Sequence, residues 1–168
     1  MKKVLIAIDY NPFAQKVAET GFLYARAMNA EICLVHVVAN VAFSSMEYSP
    51  IMGFEGFNSD CAFNDLEEQE NEANSFLEAV VKHLGDSSIK TKVLDGMASE
   101  EILRYAAEYN ADLIVMGTQY HKGLEKLITV DIVGKVINHA EVPVLVVPGD
   151  KQAVNKIIRQ QETKEVTR

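Results

Sequence analysis

The sequence predicts an α/β fold built on a parallel sheet, and three observations carry that prediction. Val4–Ile8, Cys33–Val38 and Leu113–Met116 are short, largely apolar runs, the pattern of strands buried on both faces. Stretches with helical periodicity separate them. The segment from Ala111 to Pro148 then reads strand, Gly-containing loop, helix, strand, which is how such sheets end. Strands alternating with helices imply right-handed crossovers. Ligands of these sheets sit outside the carboxyl ends of the strands, so the loop after Met116 is the first place to look for a site.

The elements follow in order. Val4–Ile8 is the first strand, ended by Asp9. Asp9-Tyr10-Asn11-Pro12 supplies turn chemistry and a helix start, with Pro12 suited to a first helical turn. The helix runs to about Met28, with Val17, Gly21, Tyr24 and Ala25 on one face, and Asn29-Ala30 closes it. Glu31–Val38 is the second strand. Residues 39–64 form a long connection carrying Phe43, Met46, Tyr48, Met52, Phe54, Phe57 and Phe63. Loops of that length are usually lids or disordered. Their aromatic and Met content points to packing over the domain itself or over a dimer partner.

Asp65–Leu84 is a helix whose first turns are acidic, complementing the helix dipole. Phe76, Leu77, Val80, Val81 and Leu84 make its apolar stripe. The acidic run is a solvated face. Ile89–Leu94 alternates with polar residues, as an edge strand does. Ser99–Glu108 is helical with Ile102, Leu103, Ala106 and Ala107 inward. Leu113–Met116 is a strand, about Ile132 to His139 a helix, and Val144–Val147 the last strand. The domain therefore spans 1–148, and 149–168 is a polar tail with a short amphipathic patch at Val154, Ile157 and Ile158.

The chain has 168 residues, enough for one domain with a real core. Its net charge of −8 argues against general nucleic-acid binding, which needs clustered Lys and Arg. Cys33 and Cys61 form no CxxC pair. Cys33 falls within a strand pattern and reads as a small core residue, while Cys61 reads as a loop residue. The first apolar run breaks at Asp9, too soon for a signal peptide, and no run reaches transmembrane length. The expectation is a cytoplasmic protein without structural disulfides.

A family resemblance rests on motifs spread along the chain. ADLIVMGT at 111–118, Gly123-Leu124 and AEVPVLVV at 140–147 resemble the C-terminal signature of the universal stress protein family. VLIAID at 4–9 resembles its first strand, LVHV at 34–37 its second, and GMASEEI at 96–102 the entry to its third helix. The resemblance implies a five-stranded parallel sheet of order 3-2-1-4-5, flavodoxin-like and similar to the adenine nucleotide alpha hydrolases, with helices on both faces. It also implies a homodimer joined through the last strand, at Val144, Leu145, Val146 and Val147. An apolar edge left open there would invite aggregation, so pairing it is physically sensible.

The ATP-binding branch of the family carries Gly-x-x-Gly, nine residues, then Gly-Ser or Gly-Thr after the fourth strand. Glycines let backbone N–H groups approach phosphate oxygens, and the hydroxyl and a helix N-terminus complete the cradle. Gly117 matches the first position, but Tyr120 stands at the second, and Val130 and Asp131 stand where Gly-Ser belongs. Gly123 lies outside the diagnostic positions. Tyr120 and Val130 resist a positive φ. Asp131 can cap the following helix itself and repel phosphate; two unit charges at ~4 Å cost about 4 kcal/mol in partly screened surroundings. At the adenosine end, Ala7, Asp9, Val37, Met116 and Gly117 match the positions that line base and ribose, with Asp9 an acceptor for ribose hydroxyls or simply a helix cap.

The expected function is a dimeric binding or regulatory module in the stress response that does not bind ATP tightly, needs no cofactor and is not an enzyme. The alternative is a switch or slow ATPase that binds AMP or ATP, with Mg2+, and uses His121 and Lys122 in place of the missing phosphate donors. A third reading makes the Phe/Met-rich loop a docking surface for a protein partner. No residues have metal-ligand spacing, and neither a nucleophile elbow nor a Walker loop is present. His36 reads as a hydrogen-bonded core histidine, and His83 and His139 as complements to helix C-termini.

Overall fold

The computed structural model describes residues 1–11, 13–38, 59–118 and 132–149, with side chains described from 67 onward in the third segment. The described residues form nine elements: β1 (Lys3–Ala7), α1 (Ala14–Ala27), β2 (Glu31–Val38), α2 (Ser59–Leu84), β3 (Lys90–Asp95), α3 (Ala98–Tyr109), β4 (Leu113–Gly117), α4 (Ile132–His139) and β5 (Val144–Val147). The sheet order is β3-β2-β1-β4-β5, with every pairing parallel, as expected.

The two faces of the sheet bury separate cores. Val4, Ile6, Leu34 and Val115 meet Val17 and Ala18 of α1 and Leu77 of α2 on one face. On the other, Leu5, Cys33, Val35 and Ile114 meet Ile102 and Ala106 of α3 and Val136 of α4. Strand residues alternate strictly between the two, which is why the central runs are apolar at every position.

Helix starts and stops obey local chemistry. Asn29 (φ 50°) and Asn110 (φ 57°) follow α1 and α3 in the left-handed region, where asparagine is tolerated. Gly85 (φ 71°) does the same after α2 and returns its N–H to the Val81 carbonyl at 3.1 Å.

Several boundaries and faces differ from the sequence reading. Helix α2 starts at Ser59, six residues before Asp65. Cys61 therefore lies on a helix, and 59–64 do not belong to the preceding loop. Ser59-Asp60 has the residue types of a helix start, but its Ser and Asp read equally as the end of a polar loop. Glu67, Glu68, Glu70 and Glu72 then lie past the first turn, where the dipole no longer favours them, and form the exposed face expected. The rest of the long connection, 39–58, lies outside the described residues, as does the tail from 150.

Tyr24 is half exposed; the buried face of α1 is Ala14, Val17, Ala18, Gly21 and Ala25. That face is small because α1 lies very close to β1: a Cβ on Gly21 would sit 2.6 Å from Ile6 Cδ1. Ala107 is exposed, and the half-buried Tyr105 and Tyr109 pack on the second core instead. The inward arc of α3 follows 102, 106 and 109, and 107 falls off it. Cys33 is buried against Tyr105, and burial pushes its thiol pKa up, as suits an inert core residue.

Asp112 joins the turn before β4 to the start of β1. Its carboxylate accepts Lys2 Nζ at 2.7 Å and the Lys3 amide at 2.9 Å. The Lys2 bond, then the Lys3 amide, hold its pKa below the ordinary value of 3.8. A depressed carboxylate contributes stability above its unfolded pKa and loses it as pH falls through the folded one. Asp112→Asn is therefore expected to remove part of the fall in stability on acidification below about pH 4, read from urea melts across pH. Native and variant curves that stay parallel there would refute this.

Candidate functional site

A cleft opens at the carboxyl ends of β1, β2 and β4. It lies where the chain order reverses: β1 leads to β2 on one side, while β4 lies on the other. That switch point leaves a crevice because the crossover helices depart to opposite faces of the sheet. Ala7, Val35, Val37, Met116 and Ile102 give the cleft apolar walls. Asp9 is the carboxylate among its described lining residues. Asn11 and Ala14 of the α1 entry, Ala98 of α3, and Ile132 and Val133 of α4 bring three helix N-termini to it.

The sequence-predicted adenosine positions come together here. Ala7, Asp9, Val37, Met116 and Gly117 all line the cleft. Tyr120, Gly123, Val130 and Asp131 lie outside the described residues, as do His121 and Lys122. Asn11, His36, Ala98 and the first residues of α4 were not singled out as lining. Their only sequence signal was position at the ends of strands or the starts of helices.

Local hydrogen bonds shape the floor. Past the end of β1, the Ile8 N–H donates to the Val35 carbonyl at 3.0 Å. His36 Nδ1 lies 2.9 Å from the Ile8 carbonyl oxygen. A carbonyl only accepts, so Nδ1 carries the proton. Asp9 Oδ1 accepts the Asn11 N–H at 3.3 Å, and Asn11 Oδ1 accepts the Phe13 N–H at 2.6 Å. The side chain that serves the helix entry is thus Asn11. Among the described residues the Asp9 carboxylate accepts from the turn alone, which leaves it acceptor capacity for a ligand in the cleft it lines. His36 is 5% exposed, the hydrogen-bonded core histidine expected, and it also lines the cleft.

Gly117 has a packing reason to be glycine. A Cβ there would lie 2.7 Å from Val17 Cγ2. Beyond it, the Thr118 N–H donates to the Val147 carbonyl at 3.0 Å and the Thr118 hydroxyl accepts the Gly149 N–H at 2.9 Å, tying the ends of β4 and β5 together. The other described histidines sit on the surface: His83 Nε2 meets Glu19 Oε1 at 2.8 Å, and His139 Nδ1 donates to the Lys135 carbonyl at 2.8 Å. Among the described residues no group of His, Cys, Asp and Glu is placed to hold a metal, and no helix is long and apolar enough to cross a membrane. The arrangement suits a flat apolar group that carries hydroxyls: apolar walls for the ring and a carboxylate for the hydroxyls.

Comparison with known proteins agrees with this frame. The model of the universal stress protein family matches residues 1–148. A universal stress protein of Methanocaldococcus jannaschii is 30% identical over 152 residues, covering 90% of this chain and 84% of the relative. The solved structure of UspA from Lactobacillus plantarum is similar with a TM-score of 0.68 at 19% identity, over 87% of this chain and 97% of that one. A universal stress protein in complex with cAMP gives 0.59 at 17% identity, over 89% and 98%. One from Archaeoglobus fulgidus in complex with dAMP gives 0.56 at 17%, over 87% and 97%. At such identities the structures establish a shared fold. The family match over residues 1–148 and the M. jannaschii relative go further: this chain belongs to the universal stress protein family.

Proposed function

We propose that this protein is a cytoplasmic, dimeric regulatory module of the stress response that works by binding and not by turnover, and that its cleft takes the adenosine part of an adenylate without holding ATP tightly. The observation that carries the reading is the convergence of Ala7, Asp9, Val37, Met116 and Gly117 on one cleft at the sheet's switch point. Two proteins of the same fold are complexes with cAMP and dAMP, a cyclic adenosine monophosphate and a deoxyadenosine monophosphate, which supports an adenine-nucleotide monophosphate as the ligand class. Against a triphosphate stand Tyr120, Val130 and Asp131 in place of the small residues of the ATP pattern. A monophosphate places less charge near Asp131 than ATP does.

Isothermal titration tests both halves. The native protein is expected to bind AMP more tightly than ATP. A Tyr120→Gly, Val130→Gly, Asp131→Ser triple variant is expected to gain at least about tenfold in ATP affinity, the removal of one opposing charge contact. Tight stoichiometric ATP binding by the native chain would overturn the reading of Asp131. Silence toward every adenylate would overturn the ligand class and move the search to protein partners.

The dimer is proposed to form through β5. The other edge strand, β3, carries the exposed Lys90 and Lys92, a usual way of discouraging strand addition. β5 carries only Val and Leu. Val144, Leu145 and Val146 are half buried in the single chain.

A further inference from the structure

We propose that His36 is a positioning residue for the ligand cleft: its ring N–H fixes the Ile8 carbonyl and thereby sets the Asp9 carboxylate toward ligand hydroxyls. This rests on the adenosine reading of the cleft and names a residue that reading leaves out. β1 ends at Ala7, so Ile8 and Asp9 lie beyond regular pairing. Among the described residues one main-chain bond holds Ile8, from its N–H to the Val35 carbonyl. The carbonyl of Ile8 is held by a side chain instead, His36 Nδ1 at 2.9 Å. That carbonyl begins the peptide unit that leads to Asp9. Rotation of this unit would carry Asp9 with it.

The ring is itself braced. The Tyr10 ring lies tilted against the His36 ring with centroids 4.4 Å apart, and Phe76 of α2 meets both, at 4.9 Å from Tyr10 and 5.8 Å from His36. His36 is 5% exposed, so little water competes for its proton. Among the described residues the Asp9 side chain has one further local restraint, the 3.3 Å bond from the Asn11 amide, which is long for an N–H donor. The turn that carries Asp9 is therefore held from β2 at two points, the Val35 carbonyl and the buried His36 imidazole.

The test uses His36→Phe, which keeps a ring against Tyr10 and Phe76 but removes the donor, and His36→Asn, whose side-chain amide retains a donor close to the Nδ1 position. The probes are adenosine and 2′,3′-dideoxyadenosine, which lacks the 2′ and 3′ hydroxyls. Affinity is read by titration, and opening of the turn by hydrogen exchange at the Asn11 amide. His36→Phe is expected to weaken adenosine about tenfold, to leave dideoxyadenosine unchanged and to speed Asn11 exchange, with His36→Asn recovering part of each effect. Equal loss for both probes, or unchanged Asn11 exchange in His36→Phe, would overturn the positioning role. If the native chain binds no adenylate, the adenosine reading fails by that result alone, and the exchange arm still decides whether His36 holds the turn.

Discussion

A Val146→Pro chain is expected to sediment as a monomer where the native chain sediments as a dimer, with the fold retained. The ladder between β4 and β5 dictates this choice. Ile114 N–H donates to the Pro143 carbonyl and Thr118 N–H to the Val147 carbonyl, both at 3.0 Å. Those bonds place the odd-numbered residues of β5 toward β4. In a parallel ladder the residues between them, Val144 and Val146, then turn their N–H and C=O to the open edge. Proline at 146 removes an outward donor and leaves the inward ladder whole, which is where edge strands tolerate it. A two-fold interface uses the same patch twice, so the loss counts twice. Two lost hydrogen bonds with their partners left unpaired amount to about 3 kcal/mol, or roughly 100-fold in dimer dissociation. Leu145→Pro, by contrast, cuts a bond to β4 and should lower the melting temperature. A native chain that is monomeric at tens of micromolar, or a Val146→Pro chain still dimeric there, would refute pairing through β5.

Gly117→Ala should destabilise the ligand-free protein by about 1–3 kcal/mol, the cost of overpacking a filled core. For a domain of this size that is a fall of roughly 3–10 °C in Tm. The added Cβ would meet Val17 Cγ2 at 2.7 Å, and Val17 is 2% exposed. The neighbour cannot easily give way, since a valine in a helix has essentially one χ1 rotamer. Truncating Val17 should therefore rescue the variant. In the Val17→Ala, Gly117→Ala double variant the new methyl replaces part of the volume removed, and the two changes should cost less together than their sum by more than about 1 kcal/mol. Unchanged stability in Gly117→Ala would show that α1 stands further from β4 than described. The result bears on function as well. If α1 packing alone demands this glycine, its presence is no evidence for a phosphate cradle, and Asp9 with the apolar walls remains the better witness for a ligand.

Much of this was legible in the residues. Val4–Ile8 and Leu113–Met116 can only be central strands, because an apolar side chain at every position needs cover on both faces. The Lys-containing pattern of 89–94 marked an edge for the opposite reason. The five cleft residues at the ends of β1, β2 and β4 were named because the family resemblance aligned them, and the sheet then brought them together. The start of α2 was missed because Ser59-Asp60 suits a loop end and a helix start alike, and local chemistry does not decide between them. Tyr24 was misplaced because helical spacing tells which residues share an arc but not where the arc's limits fall; that depends on how closely α1 approaches β1.

The order of strands and helices, the doubly covered core and the acidic, non-basic surface follow from the sequence by itself, since each rests on burial or charge that a residue carries wherever it sits. The tertiary structure alone decided that His36 reaches the carbonyl of Ile8 from 28 positions away, that Gly117 makes room for Val17, and that Asp9 is left to face a cleft while Asn11 serves the helix. Those are contacts between distant segments at distances of a few ångströms. They are set by the register of β1, β2 and β4 and the seating of α1, which no local pattern encodes.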